Sequence, residues 1–172
     1  MFVFGDPKAF ATFQDALSAP LQGMARYVGP TPPEEADLRR DVADRVNRMV
    51  QSRREEEEQE FHDRRAQGRL VALGPSEVLQ EMDMGRVARL FLSADTPVEG
   101  GRCVACGVLR TGQPIRCTSC GGESAPASLV QEVVSRGLTH PPLPMTFVPE
   151  TAEWLRDLGG MAALLTSRGR KT

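Results

Sequence analysis

Apolar positions in the first third of the chain change rhythm several times. "FVFG", Phe2 to Gly5, is a short unbroken apolar run and reads as a buried strand. Asp6 and Pro7 then form a helix start: a carboxylate to accept exposed amides, and a proline where no N–H is needed. Phe10, Phe13 and Leu17 recur at helical spacing, and Pro20 ends the pattern. "MARYV", Met24 to Val28, predicts a second strand. After "GPTPPEE" a long helix opens, with Leu38, Val42, Val46 and Met49 on one apolar stripe. Beyond Val50 the next large apolar residue is Phe61, and "QSRREEEEQE" fills the gap. Arg53 and Arg54 stand four residues before Glu57 and Glu58, and Glu60 stands four before Arg64. Such pairs contribute ~0.3 kcal/mol each to a solvated helix. The segment reads as an exposed connecting helix, with an acidic docking patch as the alternative. Gly68 is its natural stop.

The second half alternates short apolar strands with helices. "RLVALG" is a strand or an extended lead-in. "PSEVLQEMDMG" is a helix with Pro75 or Ser76 at its start and Gly85 just past its end. "VARLFLS", Val87 to Ser93, is the strongest buried strand. "ASLVQEVVSRG" predicts a helix carrying Leu129, Val133 and Val134 inward. "LPMTFVP" is a strand, "ETAEWLRDLGG" a helix with Trp154, Leu155 and Leu158 buried, and "MAALLTS" a final strand. This order predicts an α/β fold whose sheet is covered on both faces.

Composition adds limits. The 172 residues are 40% hydrophobic and 26% charged, with a net charge of −2, an ordinary globular balance that argues against binding nucleic acid by bulk charge alone. No run is long enough to span a membrane. The start, "MFVFGDPKAF", lacks the basic, apolar and small-residue regions of a secretory signal, so a cytoplasmic location is expected. In that compartment thiols stay reduced, and paired cysteines favour metal over disulfide.

All four cysteines lie in "GRCVACGVLRTGQPIRCTSCGG", at C-x2-C-x10-C-x2-C spacing. Two residues between cysteines let both sulfurs of a pair reach one ion. Gly107 after Cys106, and Gly121 and Gly122 after Cys120, let the backbone turn amides toward the sulfurs. Gly112 and Pro114 supply a turn between the pairs. Cys103, Cys106, Cys117 and Cys120 are therefore expected to hold a structural Zn²⁺ in a closed tetrahedron. Such a site can add on the order of 10 kcal/mol to the folding of a small loop. A redox dithiol would place one C-x2-C at a helix start. A catalytic zinc needs an open position, and neither Glu99 nor Glu123 stands at a spacing that makes it a general base.

Other catalytic readings fare poorly. His62 lies in the charged helix beside Asp63 and is expected in solvent. His140 is expected in a surface loop, "LTHPPLP". Ser93, Asp95 and His140 form a triad only on paper. Glu81 and Asp83 are expected to face solvent on their short helix. Met82 and Met84 read as core and turn residues, and Trp154 as a core anchor. No phosphate loop, nucleophile elbow or zinc-protease helix is present.

"LVALGPSEVLQEMDMGRVARLFLS" and "LRDLGGMAALLTSR", with the cysteines between them, resemble the C-terminal domain of archaeal and eukaryotic class-1 peptide release factors and of the rescue factor pelota. Archaeal release factors carry a four-cysteine zinc minidomain at that place. "FVFGDPKAF" and the long charged helix resemble the end of those factors' middle domain, so the chain is similar to a bacterial relative. The resemblance implies a three-layer α/β/α sandwich with an inserted zinc hairpin, divided as a partial β-α-β unit at 1–32, a connecting helix at 33–67 and a C-terminal-like domain at 68–172 with its minidomain at 96–126. It further implies docking of the ribosome or a translational GTPase, in a bacterium elongation factor Tu. The Gly-Gly-Gln loop of a true release factor is missing, as is the codon-reading domain, so peptide release is not implied and no catalytic residue is assigned. The chain is then a reduced relative or the later portion of a longer one. Kink-turn RNA-binding ribosomal proteins share the fold, but the corresponding helix offers Ser76, Glu77 and Gln80 without the asparagine and lysine of those proteins. That RNA-binding role and a zinc-dependent hydrolase are the alternatives. The two strands of the first half leave an edge expected to be covered by the long helix or by a second copy of the chain.

Overall fold

The computed structural model describes residues 1–31, 34–112, 116–139 and 142–166. It divides into two compact units, Met1–Arg53 and Arg54–Thr172.

In the first unit, β1 (Phe2–Phe4) and β2 (Arg26–Gly29) pair in parallel, Phe2 opposite Arg26 and Val3 opposite Tyr27. Helix α1 (Pro7–Ala16) starts as its sequence dictates: the Asp6 carboxylate accepts from the amides of Lys8 at 2.8 Å and Ala9 at 3.1 Å. Pro20 does not terminate this helix. α1 ends at Ala16, and Pro20 lies in the first turn of a further short helix, α2 (Ala19–Gln22), where a proline is tolerated. The long helix α3 (Glu35–Ala66) reaches β2 through Arg45, which donates to the Val28 carbonyl at 3.4 Å. Among the described residues of this unit only Ala25 is fully buried.

The second unit is built on a four-stranded sheet of β3 (Val71–Leu73), β4 (Val87–Ser93), β8 (Met145–Val148) and β9 (Met161–Leu165), in the order β3-β9-β4-β8. β4 and β8 run parallel, and β9 is antiparallel to both its neighbours. The alternation along the strands sorts side chains onto two faces. Leu90, Leu92, Met161 and Ala163 pack with Val78 and Leu79 of α4 (Gly74–Asp83) and with Leu129 and Val133 of α5 (Leu129–Gly137). Phe91, Val148, Ala162 and Leu164 pack with Phe61 of α3 and Leu155 of α6 (Glu153–Asp157). The result is an α/β/α sandwich with one apolar core on each side. Gly159 and Gly160 turn α6 into β9 with φ of 76° and 82°, a conformation other residues adopt only under strain.

Most of the charged part of α3 is exposed as expected, Arg53, Glu55, Glu56, Gln59 and Glu60 among it, but one stripe, Arg54, Glu57 and Glu58, is drawn against the sandwich. Glu57 lies 2.7 Å from Arg89 of β4 and accepts from the Thr146 hydroxyl at 2.5 Å. Glu58 accepts from the Trp154 indole at 3.1 Å and pairs with Arg54 at 3.3 Å. His62 is half-buried, edge-on to Trp154 with ring centroids 4.9 Å apart. These carboxylates leave water because fixed donors from distant strands replace it. Trp154, expected to be buried, is half-buried and packs against Phe61 at 4.9 Å on the rim of the second core.

Between β4 and α5 the chain forms a separate three-stranded antiparallel sheet of β5 (Glu99–Cys103), β6 (Leu109–Thr111) and β7 (Ser124–Ser128), in the order β6-β5-β7. Ala127 and Ser128, expected in the helix, are extended instead, because Ala127 pairs with Gly100 and Ser128 with Glu99. A methyl group added at Gly100 would overlap the Arg110 carbonyl oxygen and come 2.7 Å from Leu129 Cδ1. Backbone cannot yield there as a side-chain tip would. Gly100→Ala is expected to destabilise the protein by ~2 kcal/mol, read from the urea midpoint, while Gly112→Ala, with open space around it but φ of 75°, loses about half as much.

Candidate metal centre

Two short turns build the site. Cys103 ends β5, and the chain reverses through Cys106 and Gly107, whose amide donates to the Cys103 carbonyl at 2.9 Å. The second turn repeats this: the Gly121 amide donates to the Cys117 carbonyl at 2.8 Å. Gly107 and Gly121 have φ of 75° and 72°, so glycine is required at both corners. Each turn is closed by a second bond, Cys103 N to the Val108 carbonyl at 2.9 Å and Cys117 N to the Gly122 carbonyl at 2.8 Å, and Val104 N to the Glu123 carbonyl at 2.9 Å joins the two.

This folding gathers the sulfurs of Cys103, Cys106, Cys117 and Cys120 within 4.8 Å of one another. Cys103 and Cys117 are buried, and Cys106 and Cys120 are exposed. The Cys106 amide points at the Cys103 sulfur at 3.4 Å, and the Ser119 amide at the Cys117 sulfur at 3.4 Å. Amide donors aimed at sulfur suit thiolates. The Cys106 amide is the main cause that holds the Cys103 thiol down to about 6, against the opposing effect of burial. Cys117 is lowered by the amides of Ser119 and Cys120. For Cys120 the largest single influence, the Gly122 amide, lowers the thiol, but the neighbouring sulfurs and burial together push it up to about 12. Without a cation the cluster must keep protons, since four adjacent thiolates repel; a divalent cation removes that conflict.

The donor set fits a metal ion of the kind that takes four soft thiolates. A metal ion held by all four sulfurs would supply a closed cross-link between the two turns. Metal binding needs thiolates, so protons compete. The lowered Cys103 thiol stays ionised above about pH 6, and its contribution is lost as pH falls through that value. Metal affinity is therefore expected to fall steadily as pH drops, as a chromophoric chelator titration would show; an affinity that does not change with pH would contradict this.

The insert is held to the sandwich by contacts that no local pattern announces. Leu109 of β6 is buried in the first core. Asp83 at the end of α4 pairs with Arg110 at 2.9 Å and with Arg136 of α5 at 3.8 Å. Arg136 also donates to the Gly107 carbonyl in the first turn. Arg102 of β5 pairs with Glu132 at 3.3 Å. Of the two acids expected in solvent on α4, Asp83 is exposed though ion-paired, and Glu81 is half-buried, holding Arg86 through two contacts at 2.5 and 2.6 Å.

The remaining candidates are dispersed. Ser93 is buried and caps its own turn through Thr96 at 2.8 Å, and Asp95 is exposed. His140 lies outside the described residues, as does Pro114 of the turn between the cysteine pairs. Glu99 and Glu123 are exposed. Met82 packs on the first core and Met84 is exposed. Glu77, the one residue matching the kink-turn pattern, turns its carboxylate back to the Leu73 amide at 2.8 Å and caps α4.

No family model and no curated protein matches the sequence. Solved structures do. The C-terminal domain of a peptide chain release factor from Methanosarcina mazei aligns with 78% of this chain and 96% of its own at 21% identity, with a TM-score of 0.54. Pelota from Archaeoglobus fulgidus aligns with 99% of this chain at 20% identity and a TM-score of 0.47, and this chain spans 49% of it. An archaeal translation termination factor aligns at 18% identity over 95% of this chain and 42% of its own, with a TM-score of 0.38. The second unit has the release-factor C-terminal fold. Among the described residues no helix is long and apolar enough to cross a membrane.

Proposed function

We propose that the protein is a non-catalytic, zinc-braced module of the translation apparatus, which docks the ribosome, a translational GTPase such as elongation factor Tu, or both, in the cytoplasm. The observation that supports it is the fold shared with the release-factor C-terminal domain, which covers nearly the whole of that domain. Cys103, Cys106, Cys117 and Cys120 hold the zinc. Its role is to fix the β5-β6-β7 sheet as a rigid docking surface, since the clasp from Asp83 and Arg136 ties that sheet to two helices of the sandwich. The first unit, with little buried apolar surface of its own, is where two copies of the chain would meet.

The test is co-sedimentation of the metal-loaded chain with 70S ribosomes, with and without elongation factor Tu and a non-hydrolysable nucleotide. The expected result is saturable pelleting that rises when the GTPase is present. Absence from the pellet in both conditions would contradict the reading. A hydrolase would instead show a water-bearing metal and turnover of a model ester or phosphoester.

A further inference from the structure

The first unit carries a cavity that the metal centre does not use. Its volume is about 340 Å³, and Phe2, Arg26, Tyr27, Arg45, Arg48 and Met49 line it. Three arginines thus line one small opening in a chain whose net charge is −2. Only one of them, Arg45, has a carboxylate partner among the described residues. Arg45 is oriented by Asp41 at 2.9 Å and by the Val28 carbonyl. Arg48 uses its Nε on the Asp44 carbonyl at 3.3 Å, which leaves its terminal nitrogens available. Among the described residues no carboxylate pairs with Arg48 or Arg26. One carboxylate against three guanidiniums leaves the opening positive.

The apolar part of the lining is as definite. The Tyr27 ring is backed by Phe10, with centroids 5.3 Å apart, and its hydroxyl donates to the Gly5 carbonyl at 2.9 Å. Its orientation is fixed before any ligand arrives. Met49 is 47% exposed, with no apolar partner that hides it. A guanidinium fork matches phosphate oxygens, and a fixed aromatic face accepts any nucleobase. Fixed ring and free forks side by side match the two ends of one nucleotide. A flexible acidic peptide would engage the forks but has no use for the ring. A duplex, with its bases stacked inside, offers the ring nothing, and the cavity is far too small for it.

We propose that this cavity is a binding site for single-stranded nucleic acid, taking one base against Tyr27 and the flanking phosphates on Arg26, Arg45 and Arg48. Binding is weak, sequence-tolerant and salt-dependent. It is separate from the α4 surface of kink-turn proteins and does not depend on the ribosome reading.

Fluorescence anisotropy of a labelled oligouridylate, titrated with the full metal-loaded chain, tests it. The expected Kd is about 10⁻⁴ M or tighter at physiological salt, and the logarithmic salt slope is about −2 for three phosphates at ~0.7 each. Arg26→Ala combined with Arg48→Ala should weaken binding at least ~tenfold and flatten the slope to about −1. Both arginines are exposed, and unchanged circular dichroism would show that the variant folds. Tyr27→Phe keeps the ring and should change affinity less than about twofold, whereas Tyr27→Leu should lose ~tenfold. No binding, binding indifferent to the double arginine variant, or equal affinity for an oligoglutamate would each overturn the proposal.

Discussion

Replacing Cys103 or Cys117 by serine is expected to abolish metal binding and unfold the β5-β6-β7 sheet. These are the two buried sulfurs, each the first of its pair and each the target of a backbone amide. Serine presents a poor zinc ligand in a space shaped for thiolate. Beyond its ion pairs to the sandwich the sheet buries little apolar surface: among its described residues the buried apolar groups are Leu109, Cys103 and the neighbouring Cys117. Structural zinc binding is worth ~10 kcal/mol or more in small zinc-bound folds, comparable to the whole stability of an ordinary domain. The serine variants should therefore purify without metal, and their melting temperature should fall by more than ~10 °C. Cys106→Ser and Cys120→Ser remove exposed ligands and should be milder. Hydrogen exchange localises the effect. Chelation of the native chain should deprotect β5, β6 and β7 within minutes, while β4 and β9 in the centre of the main sheet stay protected. A metal-free Cys103→Ser protein with a native melt would remove the zinc brace from the account.

Phe61→Ala should cost ~4 kcal/mol, the range for emptying a fully buried aromatic site. Phe61 is completely inaccessible and meets Phe91 at 5.2 Å and Trp154 at 4.9 Å. The sole tryptophan stands beside the cavity that the change creates, so its fluorescence reports the loss directly. The urea midpoint should fall, with a red-shifted Trp154 emission even before unfolding. Val50→Ala, eleven positions earlier in the same helix and 61% exposed, should stay within ~0.5 kcal/mol of the parent. Equal behaviour of the two variants would mean that α3 does not form one layer of the sandwich.

The sandwich was readable because its apolar runs are short, separate and bounded by glycine or proline. "VARLFLS" became β4 residue for residue, and the Gly159–Gly160 turn stands where the sequence puts it. The cysteine cluster was readable for a different reason. Four thiols fall within one short stretch, so their proximity is local. What was not readable involves partners far apart in the chain. Glu57 looks like any solvated glutamate until Arg89 and Thr146 arrive from two strands. Asp83 is exposed, as expected, but its ion pairs with Arg110 and Arg136 come from distant elements. A charge is buried or free according to what folds beside it, and a one-dimensional pattern holds no record of that. The boundary between helix and strand at Ala127 failed likewise, since pairing with Gly100 overrides the helical spacing of the residues that follow. In the first unit, α2 was missed because Pro20 reads equally as a stop and as a start.

The central claim is that four sulfurs close around one ion and leave no room for chemistry. X-ray absorption at the zinc edge of the purified chain measures this most directly. The account predicts one zinc per chain with four sulfur neighbours at about 2.3 Å and nothing else in its first shell. Three sulfurs with an oxygen at about 2.0 Å would mean an open, water-bearing site and would contradict it.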